Sequence, residues 1–257
     1  MRRGLEALAS EGRVAYLAAE LRKSDPDRYL CALLAPAERR AAVIALGLLD
    51  RELARVPDLV SQPMAGLIRY QWWREAIDEA AAGRPRQQPL VEELAAAIGR
   101  GWVAAPALQQ LIDAREPLLD GTTGTEVAAI EAFARATAGA LQALIYRALG
   151  GTSAHEAEAA TAIGTGLGLL GMARAVEVEA TAREQSAAEA AGSLAARATH
   201  LLRGGRAAAG RPAQAQMAAF LPAGLALARL RRWPELADRR SALAPLTLAA
   251  RVVLRRP

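Results

Sequence analysis

Apolar residues recur at spacings of three and four along most of the chain, the pattern that amphipathic α-helices produce. The clearest case follows Pro36. One face of that segment carries Val43, Leu46, Leu49, Leu53 and Val56. Stretches with the strict alternation of a half-buried β-strand are lacking, so the pattern predicts an all-α protein.

Proline and glycine divide this pattern into successive helices with short connections. In the first third we predict helices over about 5–21, 37–56 and 63–83, with a break at Asp25-Pro26. Further helices are predicted over 89–101, 106–121, 125–151, about 155–184, 186–205, 215–233 and 244–256. The chain contains neither an internal repeat nor a linker, and we expect residues 1–257 to form a single helical domain.

Composition adds the character of the core and excludes several kinds of site. Hydrophobic residues make up 53% and aromatic residues 4%, which predicts a core of close-packed Leu, Ala and Val helices. A lone cysteine, Cys31, excludes an internal disulfide and is typical of core packing. The two histidines, His155 and His200, lack metal-ligand spacing, which argues against a zinc site.

Several features bear on location and partners. No run approaches the ~18 apolar residues of a membrane-spanning helix, and early charges interrupt any secretory signal. We therefore expect a cytoplasmic protein, or one peripheral to the inner face of the membrane. From Arg229 onward there are eight arginines against Glu235 and Asp238. This basic tail predicts solvated helix ends, or a surface that touches anionic lipid or an acidic partner. Nucleic acid is not expected because interleaved aromatics are missing.

Two motifs favour packing over ligand binding. "GTGLGLLG" contains the G-x-G-x-x-G spacing, but a helical segment precedes it, whereas a dinucleotide site needs a strand there. In "YQWWREAID", Tyr70 and Trp73 share a stripe while Trp72 points about 100° away, so one indole is predicted in the core and the other over a neighbouring helix or cavity. Arg74 and Asp78 are spaced as an i,i+4 pair.

The stretch "DRELARVPD" is acidic enough to suggest a metal site, but its spacing is wrong. Carboxylates that share an ion on a helix stand three or four residues apart. Asp50 and Asp58 are about 12 Å apart along a helix axis. At the intervening ligand spacings the chain has Leu53, Ala54 and Arg55. The stretch therefore predicts a face of salt bridges, with Arg55 beside Glu52 or Asp58.

Three stretches carry motifs that occur together in one protein family. "LLAPAERRAAVIAL" is similar to L-P-x-x-x-R-x-A-V-x-A-L, which in the family precedes a helix ending in D-D-x-x-D. "WWREAIDEAAAGRPRQQPLVEEL" looks like the W-x-x-x-[IL]-x-x-x-x-x-G-x-P-x-x-P stretch, and "GTGLGLLGMARAVEVEA" falls where the family has G-x-x-x-Q-x-x-N-x-x-R-D-x-x-x-D. These motifs resemble the squalene and phytoene synthase family, the likeness covers about 24–183, and the family's L-P loop after the second acidic motif is missing.

The resemblance implies an isoprenoid-synthase-like helical bundle around a central cavity. Family members join two prenyl diphosphates head to head, and acidic motifs on two facing helices bind the Mg²⁺ ions and the diphosphates. Matched to this chain, the first motif's leading aspartates fall on Ala54 and Arg55, and only its last acid survives, as Asp58. Arg51 flanks this motif, and Tyr70 and Trp73 belong to the helix that follows.

The second acidic motif is also depleted. With Arg174 as anchor, its leading aspartate falls on Ala175 and its last on Glu179, while the preceding polar pair becomes Gly168 and Gly171. Two acids therefore remain where the family has about five. Losing those ligands should abolish activation of the diphosphate, because its charge must be neutralised before it can leave.

The substitutions themselves resemble one branch of the family. Its non-catalytic members, which include a mitochondrial assembly factor of respiratory complex I, share P-A-E-x-R, x-x-E-L-A-x-V-x-D and G-L-x-R-x-Q-[FW]-W with "PAERR", "DRELARVPD" and "GLIRYQWW". The resemblance implies a pseudoenzyme without a cofactor that acts on a complex I subunit or assembly intermediate at the membrane surface. Two alternatives stay open: an active prenyl transferase using Mg²⁺, and a non-catalytic protein that binds an isoprenoid or lipid.

Overall fold

The computed structural model describes residues 2–122, 124, 126–180 and 185–231, with side chains described over 10–122, 124, 126–175 and 189–231. All regular structure in these ranges is helical. The prediction of an all-α protein is therefore confirmed. The chain divides into two compact units, Met1–Asp120 and Gly121–Pro257, called here the N-terminal and C-terminal units. The expectation of one domain stays a prediction.

The N-terminal unit contains seven α-helices and a short 3₁₀-helix in its described residues. These are α1 (Arg2–Ser24), α2 (Pro26–Leu33), α3 (Ala37–Ala54), the 3₁₀-helix Pro57–Leu59, α4 (Pro63–Ala81), α5 (Pro89–Gly99), α6 (Ala105–Asp113) and α7 (Pro117–Asp120). The described part of the C-terminal unit comprises α8 (Val127–Ala134), a π-helical turn (Arg135–Gly139), α9 (Ala140–Ala148), α10 (Ala154–Ala180), α11 (Gln185–Ala209), the 3₁₀-helix Gln214–Ala219 and α12 (Leu221–Leu230).

Helix α3 is the centre of the N-terminal unit. Every residue from 42 to 50 is buried, so the helix is covered on all sides rather than along one stripe. It packs against α1, α2 and α5. The side chains that fill this core are Leu, Ala, Val and Ile with few aromatics, as the composition predicts.

Helix α2 was not among the predicted helices, because Asp25-Pro26 was interpreted only as a break. The same two residues begin the helix. The Asp25 carboxylate accepts a hydrogen bond from the backbone N–H of Arg28 at 3.0 Å, and Pro26 occupies the first helical position, where a missing N–H has no cost.

In the C-terminal unit, α10 lies along α11 and along the helix formed by α8, the π-turn and α9. Glycines let these backbones approach closely. A Cβ on Gly205 of α11 would stand 2.8 Å from the carbonyl oxygen of Ala159, and one on Gly164 would collide with the carbonyl of Ala138. The "GTGLGLLG" motif lies inside α10, so it opens no helix after a strand, and the packing interpretation agrees with the structure.

No helix among the described residues is both long and apolar enough to cross a bilayer. The predicted helix over 244–256, and most of the basic tail, lie outside the described residues.

Candidate functional site

The carboxyl end of α3 carries the residues that the sequence singles out, and a buried tyrosine fixes it in place. The Tyr70 hydroxyl of α4 donates to the carbonyl of Leu53 at 3.3 Å, and both side chains are fully buried. Burial raises the pKa of Tyr70, which keeps the hydroxyl protonated and able to donate. The last turn of α3 is thereby tied to α4.

The three positions matched to the first acidic motif lie at and just beyond this end. Ala54 is the last residue of α3, and Arg55 follows it with 54% of its side chain exposed. Arg55 pairs with Glu52 at 3.4 Å, one of the two partners predicted for it. Asp58 lies in the 3₁₀-helix after it and is exposed.

This end of α3 does not fit a magnesium cluster. Mg²⁺ takes oxygen ligands in a near-octahedral arrangement, and a carboxylate pair must face it from one side. Ala54 offers no ligand atom, and Arg55 brings a cation in place of a carboxylate. Groups of three or more His, Cys, Asp or Glu that could hold a metal ion are absent from the described residues.

One turn earlier, α3 carries a buried carboxylate, and it belongs to a set of four charged side chains. This set, called here the Asp50 cluster, consists of Asp25, Arg28, Asp50 and Arg115. Arg115 follows α6 and forms a hydrogen-bonded ion pair with Asp50, both side chains being buried. Arg28 of α2 places Nη2 3.8 Å from the other Asp50 oxygen and Nε 3.2 Å from Asp25.

A glycine makes room for this cluster. A Cβ on Gly47 would stand 2.6 Å from Cδ of Arg28, so the arginine lies across α3 where a side chain would otherwise project. Burial raises the pKa of Asp25, but the charge and hydrogen bonds of Arg28 lower it by more, so the pKa of this carboxyl lies below its ordinary value. Two cations and two anions neutralise one another and join α2, α3 and the segment after α6.

The sequence predicts salt bridges along the stretch "DRELARVPD", and Asp50 does form them. The pattern does not predict that Asp50 is buried, with only 9% exposed, or that its partners come from other parts of the chain. Its partner Arg115 is 65 residues away in sequence, and no helical spacing connects the two. The available signal was the position of Asp50 directly after a continuous apolar run, where an acid needs a buried partner.

A pocket of about 290 Å³ opens beside the same end of α3. Its charged lining is mixed, with Arg51 and Arg55 opposed by Glu20 and Glu52. The remaining lining residues are Tyr16, Leu17, Ser24, Leu48, Gln88 and Leu90. Such a lining can hydrogen-bond a small polar molecule but provides no row of carboxylates. The hydroxyl of Ser24 donates to the backbone carbonyl of Glu20 at 2.8 Å. Cys31 is buried, and burial raises the pKa of its thiol, so it is not a nucleophile.

One of the two adjacent tryptophans lies in the core, as predicted. Trp73 is buried, Trp72 is partly exposed, and their rings meet edge to face with centroids 5.0 Å apart. The predicted pair between Arg74 and Asp78 was wrong. Arg74 Nη2 lies 2.6 Å from Asp113 and 2.5 Å from Glu116, because the end of α6 and the segment before α7 bring two carboxylates beside it.

The positions matched to the second acidic motif lie on α10. Gly168 faces Ala134 and Ala138, whose Cβ atoms would each stand 3.1 Å from an added Cβ, whereas Gly171 faces open space. Arg174 is half-buried and Ala175 is exposed. The backbone of Glu179 is helical, but its side chain lies outside the described residues, so its role stays a prediction.

The chain is similar to known proteins in both sequence and fold. The family model described as squalene/phytoene synthase matches residues 21–186. A complex I assembly factor 6 of NADH dehydrogenase (ubiquinone) from Bos taurus is 34% identical over 176 residues, covering 68% of this chain and 53% of the relative. The Homo sapiens protein of the same name is 35% identical over 164 residues, covering 64% and 49%. The matched region thus spans about half the length of these curated relatives.

Among solved structures, a dehydrosqualene synthase in complex with ligand superposes with a TM-score of 0.73. The superposition covers 96% of this chain and 97% of that one, at 15% sequence identity. At that identity the likeness establishes the fold, and the predicted isoprenoid synthase fold is confirmed.

Proposed function

This chain belongs to the squalene/phytoene synthase family, and we propose that it is a non-catalytic member that supports the assembly of respiratory complex I. The observation that carries the proposal is the identity of 34–35% with proteins named as assembly factors of that complex, over about two thirds of this chain. The proposed partner is a complex I subunit or assembly intermediate.

The end of α3 supports the non-catalytic part of this proposal. Departure of a prenyl diphosphate requires neutralisation of its charge by several metal ions. Ala54 and Arg55 occupy the positions of two carboxylates, and the nearby Asp50 is already neutralised by Arg115. We therefore propose that the protein uses no metal cofactor.

The experiment that tests the assembly role is deletion of the gene followed by measurement of complex I in the membranes. We expect less assembled NADH dehydrogenase, with restoration by a plasmid copy of the wild-type chain. A second respiratory enzyme, such as succinate dehydrogenase, serves as the control and should be unchanged. Normal complex I in the deletion strain would overturn the proposal.

Head-to-head prenyl transfer is the second candidate, favoured by the fold shared with dehydrosqualene synthase. Incubation of the purified protein with Mg²⁺ and either farnesyl or geranylgeranyl diphosphate decides this point. The account predicts no condensed product and no release of diphosphate. Formation of either product at catalytic turnover would establish a rearranged active site.

Two further contacts belong to the proposal. The basic tail from Arg229 would bind anionic lipids and hold the protein, as a peripheral protein, on the inner face of the membrane. The fold could also keep an apolar cavity for an isoprenoid or lipid tail. Mass spectrometry of lipids that co-purify with the protein tests isoprenoid or lipid binding. A purified protein that carries no lipid would contradict it.

A further inference from the structure

Large apolar side chains are unusually exposed around the first turns of α4. Met64 and Ile68 are 65% and 64% exposed, one turn apart on the same face. Leu67 beside them and Leu59 in the preceding 3₁₀-helix are 38% and 45% exposed. These four exposed side chains, called here the α4 tip, lie at or just before the start of α4, and exposed apolar groups in such numbers mark interaction sites.

Charge along α4 is graded from one end to the other. No acidic residue occurs between Asp58 and Glu75, and the exposed Arg69 lies directly behind the tip. The acids of the helix, Glu75, Asp78 and Glu79, follow in its second half. The apolar end is thus separated by a cation from the acidic end, and the gradient runs along the helix axis rather than around it.

Trp72 stands between the two ends. It follows Met64 by eight residues, about 12 Å along the axis, and its indole is 38% exposed. The guanidinium of Arg86 lies 5.1 Å from the ring centroid, which fixes one face of the ring. Partly exposed tryptophans near a cation are typical of the boundary between lipid and water.

We propose that the α4 tip inserts into the headgroup and upper acyl region of a phospholipid bilayer. Ile68 lies about 6 Å from Met64 along the helix, within the 5–10 Å to which peripheral segments insert. Arg69 and Trp72 then lie at the level of the phosphates, and Glu75 and the acids beyond it stay in water. From Met64 onward along α4, this order of groups matches the order of layers in an anionic membrane surface, and the exposed Asp58 beside Leu59 lies outside that order.

A bilayer fits this surface better than a second copy of the chain or a stable protein partner. A stable protein interface buries roughly 800 Å² on each side. Four partly exposed side chains and the edge of one indole cannot supply that area alone. A contact between helix sides would also place apolar residues along the length of α4, whereas here they stop after Trp72.

Insertion of the tip is independent of the basic tail and of the assembly role. Tail binding is electrostatic and weakens with salt, while apolar insertion persists. Co-sedimentation of the full chain with phosphatidylcholine vesicles containing one quarter phosphatidylglycerol, in about 0.5 M salt, isolates the tip. We expect the double variant Met64→Gln/Ile68→Gln to bind at least ~10-fold more weakly than wild type, because each change exposes polar atoms to the acyl region.

Leu33→Gln is the matched control, since Leu33 is 39% exposed on α2, away from α4. It should bind vesicles as wild type does. Circular dichroism of each variant checks that the helices are retained. Equal vesicle binding by wild type and the double variant, or no vesicle binding by wild type, would overturn the proposal.

A fluorescent label provides a second measurement that does not depend on affinity. An Ile68→Cys variant labelled with an environment-sensitive dye should brighten and shift to shorter wavelength on adding vesicles, while Cys31 stays unlabelled because it is buried. The same label on Leu33→Cys should not respond. If light scattering instead reveals a dimer that Met64→Gln/Ile68→Gln dissociates, the tip is an interface between copies and the membrane proposal is wrong.

Discussion

The Asp50 cluster gives the sharpest prediction about stability. Asp50→Ala removes the carboxylate that Arg115 and Arg28 share. Arg28 keeps Asp25 at 3.2 Å, but Arg115 is 6% exposed and loses its ion-pair partner. A buried charge left without its partner costs about 3–5 kcal/mol of unfolding free energy. For a chain of this size, that loss lowers the melting temperature by roughly 10 °C.

Thermal unfolding followed by circular dichroism, together with urea unfolding, measures this loss. Asp58→Ala is the matched control, because Asp58 is an exposed acid eight residues away and its loss should change stability by less than about 0.5 kcal/mol. Replacing both charges, as in Asp50→Leu/Arg115→Met, should recover much of the loss, because the uncompensated charge is gone. An Asp50→Ala protein within about 1 kcal/mol of wild type would refute the role assigned to the cluster.

Three smaller predictions follow from the same structure. Gly164→Ala should lower the unfolding free energy by about 1–3 kcal/mol, because the new Cβ would collide with α9 and the π-turn. Gly171→Ala, at a position that faces open space, should raise it by up to about 1 kcal/mol. Urea unfolding that ranks the two variants the other way would contradict this packing. Burial raises the pKa of Asp25, but Arg28 lowers it by more, so the folded pKa is below the unfolded pKa of about 3.9. The ionised carboxylate therefore stabilises the fold fully above the unfolded pKa, and this stabilisation is lost as the pH falls through the folded pKa. Asp25→Asn keeps the helix cap and should be less stable than wild type near neutral pH, with the difference shrinking below about pH 4; a difference independent of pH would refute this. The raised pKa and burial of Cys31 predict that Ellman's reagent leaves the native protein unlabelled and titrates its thiol after denaturation, and rapid labelling of the native protein would contradict both.

Most helices were predictable because proline and glycine stand at their ends. Prolines occupy the first turns of α4, α5 and α6, where the sequence predicted helices to begin, and Gly83 follows the end of α4. Helix α2 was missed because Asp25-Pro26 is compatible with both a break and a start. Only the hydrogen bond from the backbone of Arg28 distinguishes the two.

The sequence predicts which residues replace the motif acids at the candidate site, but not which side chains contact one another there. Ala54 and Arg55 could be matched to motif positions because helical spacing is local. The pairing of Asp50 with Arg115 depends on how α6 returns to α3, which no local spacing records. The predicted pair between Arg74 and Asp78 was wrong for the same reason, because tertiary packing brings Asp113 and Glu116 closer to Arg74 than Asp78 is.

We propose that this family member supports complex I without prenyl-transfer chemistry. The amount of assembled complex I in the deletion strain expressing Asp58→Asn/Glu179→Gln, which removes both remaining motif acids, tests this directly. We expect this variant to restore complex I as fully as the wild-type chain does. Failure to restore complex I by a variant that accumulates normally would show that those acids are required, and would contradict the claim.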